Sequence, residues 1–95
     1  MTSPQNIVGP QIRSLRREMG LTQAMLAARC GVLGWDIGEN TVTKIETQLS
    51  CVVDSELICL AHALEADLGA LLPSTDKWKS TITKFFSARS SRFDG

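Results

Sequence analysis

One stretch of the chain concentrates side chains that can hydrogen-bond to the edges of nucleic-acid bases. Within residues 40–48 these are Asn40, Thr41, Thr43, Lys44 and Gln48. An Asn side chain can pair with adenine and a Lys side chain can donate to guanine. Because the group is polar but mostly uncharged, it suits base edges better than a surface stabilised by salt bridges. An ordinary solvent-exposed helix surface has the same composition and stays the alternative.

The cysteines and the single histidine form no pattern that predicts a metal site or an enzyme. Cys59 and His62 are three residues apart, as two ligands on one helix face could be. Tetrahedral zinc would also need Cys30 and Cys51 to converge from elsewhere. The apolar neighbours of each cysteine favour small core side chains instead. With no nucleophile motif beside His62 and no glycine-rich phosphate loop, we expect no metal, no cofactor and no catalysis.

Length and composition indicate one small domain. The chain has 95 residues, of which 43% are hydrophobic, enough for one small core and too little for two. No segment approaches the roughly 20 consecutive apolar residues of a membrane span. Residues 1–6 lack the positive charge and apolar block of a secretion signal. We therefore expect a soluble, cytoplasmic protein.

Charge is unevenly distributed, although the formal net charge is zero. Residues 51–72 contain no Lys or Arg and carry the acidic side chains Asp54, Glu56, Glu65 and Asp67. Residues 73–95 are mainly basic, with Lys77, Lys79, Lys84, Arg89 and Arg92. The acidic segment should face away from any phosphate backbone, whereas the basic tail could contact phosphates or simply be solvated.

Helix caps and apolar periodicity predict the elements that would position the polar stretch. Pro10 fits the first position of a first helix, with Gly9 as its N-cap. Thr22 fits the N-cap of a second helix over residues 23–30, which Gly31 would end. A third helix, roughly Asn40 to Leu49, carries the polar face. Its apolar stripe, with a spacing of three and then four residues, predicts burial of Val42, Ile45 and Leu49.

The segment between the second and third helices has no sustained helical period. Residues 32–38 contain two glycines and are predicted to form a connecting loop with Trp35 or Ile37 turned inward. An Asp36 cap would start the third helix at Ile37. A start after Gly38 is the alternative.

Two further helices and a tail complete the prediction. Asp54 is expected to cap a fourth helix that runs to about Ala66, and a short fifth helix covers 67–72. The buried stripe of the fourth helix is predicted to be Leu57, Ile58, Ala61 and Leu64. The tail has aromatic and aliphatic residues at helical spacing: Trp78, Ile82, Phe85 and Phe86. This tail would form a sixth helix, whose apolar stripe is buried either on the same domain or across a dimer interface.

The chain thus divides into a flexible N-terminus (1–7), one domain (8–73) and a basic aromatic tail (74–95). The predicted fold class is an all-α, five-helix bundle with an additional C-terminal helix.

Four fragments occur in a fixed order over about residues 7–72. They are 9–17 (GPQIRSLRR), 20–27 (GLTQAMLA), 41–46 (TVTKIE) and 56–64 (ELICLAHAL). Each fragment alone is weak, but the four in register are specific. They resemble the phage-repressor-like helix-turn-helix domains, also called the Cro-type or XRE family. The resemblance implies a repressor-like DNA-binding fold that lays its third helix in the major groove.

The resemblance also implies roles for individual residues. In that family the start of the third helix, and a position one turn later, reach base edges, and the matching residues here are Glu39, Asn40, Thr43 and Lys44. Gln23 matches a glutamine that typically grips a phosphate at the start of the second helix, which is a favourable place for an anion. The phosphate contacts that we expect are Thr22, Gln23, Arg17 and Gln48. Arg16 and Glu46 match a structural ion pair that bridges the first and third helices.

The chain departs from the family pattern in two places. The connection from Gly31 to Thr41 is about five residues longer than the common form. Glu39 puts a negative charge where phosphates would crowd, and Gly38 stands where a serine cap is usual. Glu39 can either accept a hydrogen bond from cytosine or repel incorrect sites.

Together these features predict a sequence-specific transcriptional regulator. We expect a repressor that binds a palindromic operator on double-stranded DNA as a homodimer. The zero net charge and Glu39 support the alternative, a protein-interaction module on the same scaffold. No small-molecule ligand is indicated, because five short helices leave little volume for a pocket.

Overall fold

The computed structural model describes residues 3–74 and 76–90. The regular secondary structure of these residues is helical, and none of them lies in a β-strand, which confirms the predicted all-α class. The helices are α1 (Gly9–Glu18), α2 (Gln23–Val32), α3 (Glu39–Glu46), α4 (Asp54–Ala63) and α5 (Trp78–Ser90). A 3₁₀ turn, Leu68–Leu71, separates α4 from α5. None of the described helices combines the length and the apolar character needed to cross a bilayer.

The core is built by the elements that precede α5. Each of them contributes at least one fully buried side chain: Ile12, Leu26 and Cys30, Val42 and Ile45, Leu60, and Leu71. No buried core side chain comes from the described part of α5. The core therefore closes without the tail, as the apolar pattern predicts, and α5 lies outside it.

The segment before α1 is attached to the end of α3. Asn6 is buried, its amide oxygen accepts from the backbone N–H of Gly9 at 2.8 Å, and its amide nitrogen donates to the carbonyls of Ile45 and Ser50. The backbone N–H of Gln5 donates to the carbonyl of residue 48 at 3.0 Å. Although residues 1–7 were expected to be flexible, these hydrogen bonds hold the part of that segment which the structure describes.

Helix starts are close to the predicted ones, but two capping residues differ. The hydroxyl of Thr22 accepts from the backbone N–H of Met25 at 3.1 Å, which confirms this N-cap. Gly9 is the first residue of α1 rather than its cap, because Val8 occupies the N-cap position. Likewise Asp54 opens α4 after Val53, whose backbone N–H is bound instead by the Glu56 carboxylate at 3.0 Å. The prediction of Asp54 as the cap was wrong.

Helix ends differ more than helix starts. Gly31 does not end α2, which continues to Val32, and Gly34 supplies the left-handed residue with φ 103°. The third helix ends at Glu46 rather than Leu49, because Gln48 adopts a left-handed conformation with φ 63°. The fourth helix ends at Ala63 rather than Ala66, and the predicted fifth helix is a single 3₁₀ turn.

Two side chains that were predicted to be buried lie at the surface. Leu49 is 53% exposed, because it follows the end of α3 rather than continuing its apolar stripe. Ile58 is 51% exposed, since α4 buries the face that carries Leu60, Ala61 and Leu64. The outward position of Ile58 leaves an apolar side chain on the outer surface of α4.

Candidate nucleic-acid interface

A short loop positions α3 against α2. After Gly34 reverses the chain, the backbone N–H of Trp35 donates to the carbonyl of Cys30 at 3.0 Å. Trp35 and Ile37 both pack against the core, so the loop is attached along its length. Gly38 is the N-cap of α3 and provides no side-chain oxygen to the helix N-terminus. The first turn of α3 is therefore presented to solvent with free space around Gly38.

A buried ion pair connects α1 to α3. The Arg16 guanidinium donates twice to the Glu46 carboxylate, from Nε at 2.6 Å and from a terminal nitrogen at 3.1 Å. Its other terminal nitrogen donates to the carbonyl of Leu21 at 2.8 Å. The hydrogen bonds to Glu46 raise the pKa of Arg16, against the opposing effect of burial. Each nitrogen of the Arg16 guanidinium and both oxygens of the Glu46 carboxylate thus take part in hydrogen bonds within the protein.

Gln23 and Thr43 extend this pair toward the surface. The Gln23 amide nitrogen donates to Glu46 Oε1 at 3.0 Å, and its amide oxygen accepts from the Thr43 hydroxyl at 2.7 Å. The first residue of α2 is therefore hydrogen-bonded to the middle of α3. An amide nitrogen carries two hydrogens, so Gln23 retains a second donor direction. This chain of hydrogen bonds fixes the relative position of the two helices at the surface.

The outer surface of α3 carries the remaining polar residues. Glu39, Asn40 and Lys44 are exposed, and Thr43 is half-buried beside Gln23. Thr47, which follows the helix, is also exposed, and its hydroxyl donates to the carbonyl of Thr43 at 2.7 Å. Each of the four predicted base-contacting residues therefore has a surface position on or beside one helix face.

An open cleft of about 420 Å³ lies between α1 and the ends of α2 and α3. Arg13 and Arg17, both exposed, form one wall, and Thr22, Gln23 and Thr47 line the rest. The buried Arg16–Glu46 pair is its floor. We call this cleft, together with the outer surface of α3, the α2–α3 face. It comprises Arg13, Arg17, Thr22, Gln23, Glu39, Asn40, Thr43, Lys44 and Thr47.

The charge of the α2–α3 face differs from the zero net charge of the chain. Arg13, Arg17 and Lys44 are cationic, and Glu39 is its only exposed carboxylate. The acidic side chains of α4 belong to a different element. A local excess of positive charge is what attracts a phosphate backbone, since the field near a surface depends on the nearest charges rather than on the sum.

Gln48 is the predicted contact that the structure places differently. It lies beyond the end of α3, and its amide nitrogen donates to the carbonyl of Asn6 at 2.8 Å. This hydrogen bond directs the side chain toward the N-terminal segment, so Gln48 does not belong to the α2–α3 face.

Arg13 and Thr47 belong to the face but were not predicted as contacts. Arg13 could have been found from its spacing of four from Arg17, which places both on one side of α1. Thr47 could not, because the third helix was expected to continue past it.

The three cysteines differ in how deeply they are buried. Cys30 is fully buried, and burial, reinforced by the neighbouring Cys59, raises its pKa to about 12. Cys51 is exposed to solvent, and Cys59 is partly buried. Over residues 3–74 and 76–90, His, Cys, Asp and Glu form no group of three that could hold a metal ion.

No protein-family model, curated protein or solved structure matches this chain. The resemblance to phage-repressor-like domains therefore rests on the four sequence fragments.

Proposed function

We propose that this protein is a sequence-specific DNA-binding regulator of transcription, which acts as a repressor by occupying its operator. The observation that carries the proposal is the α2–α3 face, where Asn40 and Lys44 are exposed on α3. The hydrogen bond between Thr43 and Gln23 connects the surface of α3 to the cleft that the arginines of α1 line. Side chains suited to base edges and side chains suited to phosphates thus lie on one surface of the protein.

The dimensions of α3 suit the major groove. An α-helix with its side chains is about 10–12 Å in diameter, and the major groove is about 12 Å wide. The eight residues of α3 make it about 12 Å long, enough for two turns along the groove. Because Gly38 has no side chain, the backbone at the start of α3 can approach bases closely. Asn40 in the first turn and Lys44 one turn later then lie on the side of α3 that would face the bases.

The cleft residues suit the phosphate backbone. Arg13 and Arg17, one turn apart on the same side of α1, can neutralise neighbouring phosphates, and the second amide hydrogen of Gln23 can reach a phosphate at the start of α2. Because Gln23 and Thr43 are hydrogen-bonded to each other, a phosphate contact at Gln23 would fix the register of Thr43 over the bases. One small face of this kind covers only a few base pairs, so we propose that two copies read a palindromic operator.

The test is to compare variants of the two groups on selected and random duplexes. Asn40→Ala should weaken binding by about 1–3 kcal/mol at particular base pairs. Arg17→Ala should weaken binding on every sequence and lower the slope of log affinity against log salt by about one. Both effects are measured by fluorescence anisotropy over a salt series, with Lys84→Ala as a control cation on α5.

The alternative of a protein-interaction module is favoured by one observation, the exposed Glu39 carboxylate in the first turn of α3. The same titrations separate the two functions. A full-length chain that binds no duplex even at low salt would contradict DNA binding and favour the interaction module. If Asn40→Ala and Lys84→Ala had equal effects, base reading by α3 would be excluded.

A further inference from the structure

Helix α5 has an aromatic side that its own chain leaves half-exposed. Trp78 is 49% exposed and Phe86 is 58% exposed. Ile82 is half-buried. Because it is four residues from each of the two aromatic side chains, the three residues form one stripe along the helix. Beneath α5 lies a cavity of about 410 Å³, lined by Ile7, Val8, Leu57, Leu72, Ile82, Phe85 and Phe86 among others. The helix is therefore only loosely packed on its own domain.

The outer side of α4 has a second half-exposed apolar patch. Ile58 is 51% exposed and Leu68, in the following 3₁₀ turn, is 46% exposed. Together with Ala61, Ala66 and His62 they line a shallow depression whose rim includes Asp67. Asp54 lies one turn before Ile58 on the same side of the helix and adds a second negative charge.

The two apolar surfaces have opposite charges beside them. Lys79 is exposed and lies next to the aromatic stripe of α5, seven residues before Phe86, whereas Asp67 borders the patch on α4. Within the described part of the chain, the ion pairs are Arg16–Glu46 and Arg29–Glu65, so neither Lys79 nor Asp67 forms one. Lys84 is two residues from both Ile82 and Phe86 and thus lies on the opposite side of α5.

From this complementarity we infer that two copies of the chain form a symmetric dimer, in which the aromatic stripe of α5 packs on the Ile58–Leu68 patch of the partner copy. In a twofold dimer this contact occurs twice, so each copy supplies one aromatic stripe and one acidic patch. Lys79 of each copy then faces Asp67 of the other. The inference deepens the proposed function, because such a dimer would hold two α3 helices for two half-sites.

A charge-exchange experiment tests the pairing of the two surfaces. Lys79→Glu and Asp67→Lys chains are prepared separately, and dimer dissociation is followed by light scattering over a dilution series. Each variant alone should dissociate about tenfold more readily than the wild type, because both copies of its interface then have like charges opposed. An equimolar mixture should form a heterodimer of near wild-type affinity, since both of its interfaces again have opposite charges. Lys84→Glu is the matched control and should change dissociation less than twofold.

The apolar part is tested with Trp78→Ser/Phe86→Ser. This variant should be monomeric and keep the circular dichroism of the wild type, because α5 contributes no core residue. Its unfolding midpoint should equal that of the wild type at a dilution at which the wild type is also monomeric, since dimer formation itself raises the midpoint of the wild type. A wild-type chain that is monomeric at every concentration, a serine variant that stays dimeric, or a mixture that does not recover would each overturn the inference. Because mass is measured without DNA, these failures are distinct from loss of duplex binding, which would overturn the proposed function instead.

Discussion

At the residue scale, the Arg16–Glu46 pair is the polar contact on which the rest of the α2–α3 face depends. Glu46 is 5% exposed and Arg16 is 8% exposed, yet the donors of Arg16 and both carboxylate oxygens are used. Buried charges are tolerated only when they are paired in this way. Gln23 binds the same carboxylate, so replacing Glu46 would also remove a hydrogen bond of the first residue of α2.

We predict that Arg16→Ala destabilises the fold by about 3–5 kcal/mol, because it leaves the buried Glu46 carboxylate without its cationic partner. The double variant Arg16→Met/Glu46→Leu should recover most of that loss, since no uncompensated charge remains. Urea unfolding at neutral pH measures both, with Arg13→Ala on the exposed side of α1 as the control. A loss below 1 kcal/mol for Arg16→Ala would show that the pair is not structural.

Sequence reasoning identified the pair but not the hydrogen bonds around it. Arg16 and Glu46 are 30 positions apart, and only the family resemblance connected them. The link from Gln23 to Thr43 depends on how closely α2 approaches α3, and no local pattern encodes this distance. Asn6 was missed for the same reason, because its partners Ile45 and Ser50 are distant along the chain.

At the element scale, α1 begins in close contact with the end of α3. A Cβ added to Gly9 would overlap the carbonyl oxygen of Ile45 and lie 2.9 Å from that of Glu46. Gly9 is therefore required for this approach, not for a special backbone conformation. Gly31, in contrast, has free space around it and lies inside α2.

The two glycines should respond oppositely to alanine. We predict that Gly9→Ala destabilises the protein by roughly 1–3 kcal/mol, because backbone atoms must shift to admit the methyl group. Gly31→Ala should stabilise it by about 0.5–1 kcal/mol, because alanine has the higher helix propensity and nothing is displaced. Thermal unfolding compares the two, and equal effects would contradict the close α1–α3 contact.

The existence of the helices could be predicted from caps and apolar periodicity, but their ends could not. From the sequence, either Gly31 or Gly34 could end α2. In the structure Gly34 adopts the left-handed conformation that reverses the chain, and the next residue, Trp35, packs on the core. The end of α3 is accompanied by hydrogen bonds from Gln5 and Asn6, which bind carbonyls at and beyond its last turn. Such contacts join residues that are distant in sequence. They influence where a helix ends, and local helix propensity cannot predict them.

At the scale of the whole molecule, charge is separated between surfaces. The α2–α3 face carries an excess of cations, the outer side of α4 is acidic, and α5 is basic. A net charge of zero therefore does not argue against binding a polyanion, although it should make non-specific attraction weak. We therefore expect sequence-specific contacts to supply more of the affinity than they do in a strongly basic protein.

The most direct test of DNA reading by the α2–α3 face is selection from a pool of random duplexes with the full-length chain at low salt. We predict enrichment of one inverted repeat, with half-sites about 34 Å apart, and loss of that enrichment in Asn40→Ala/Lys44→Ala. A pool that remains random after repeated rounds, or the same motif from the wild type and the double variant, would contradict it.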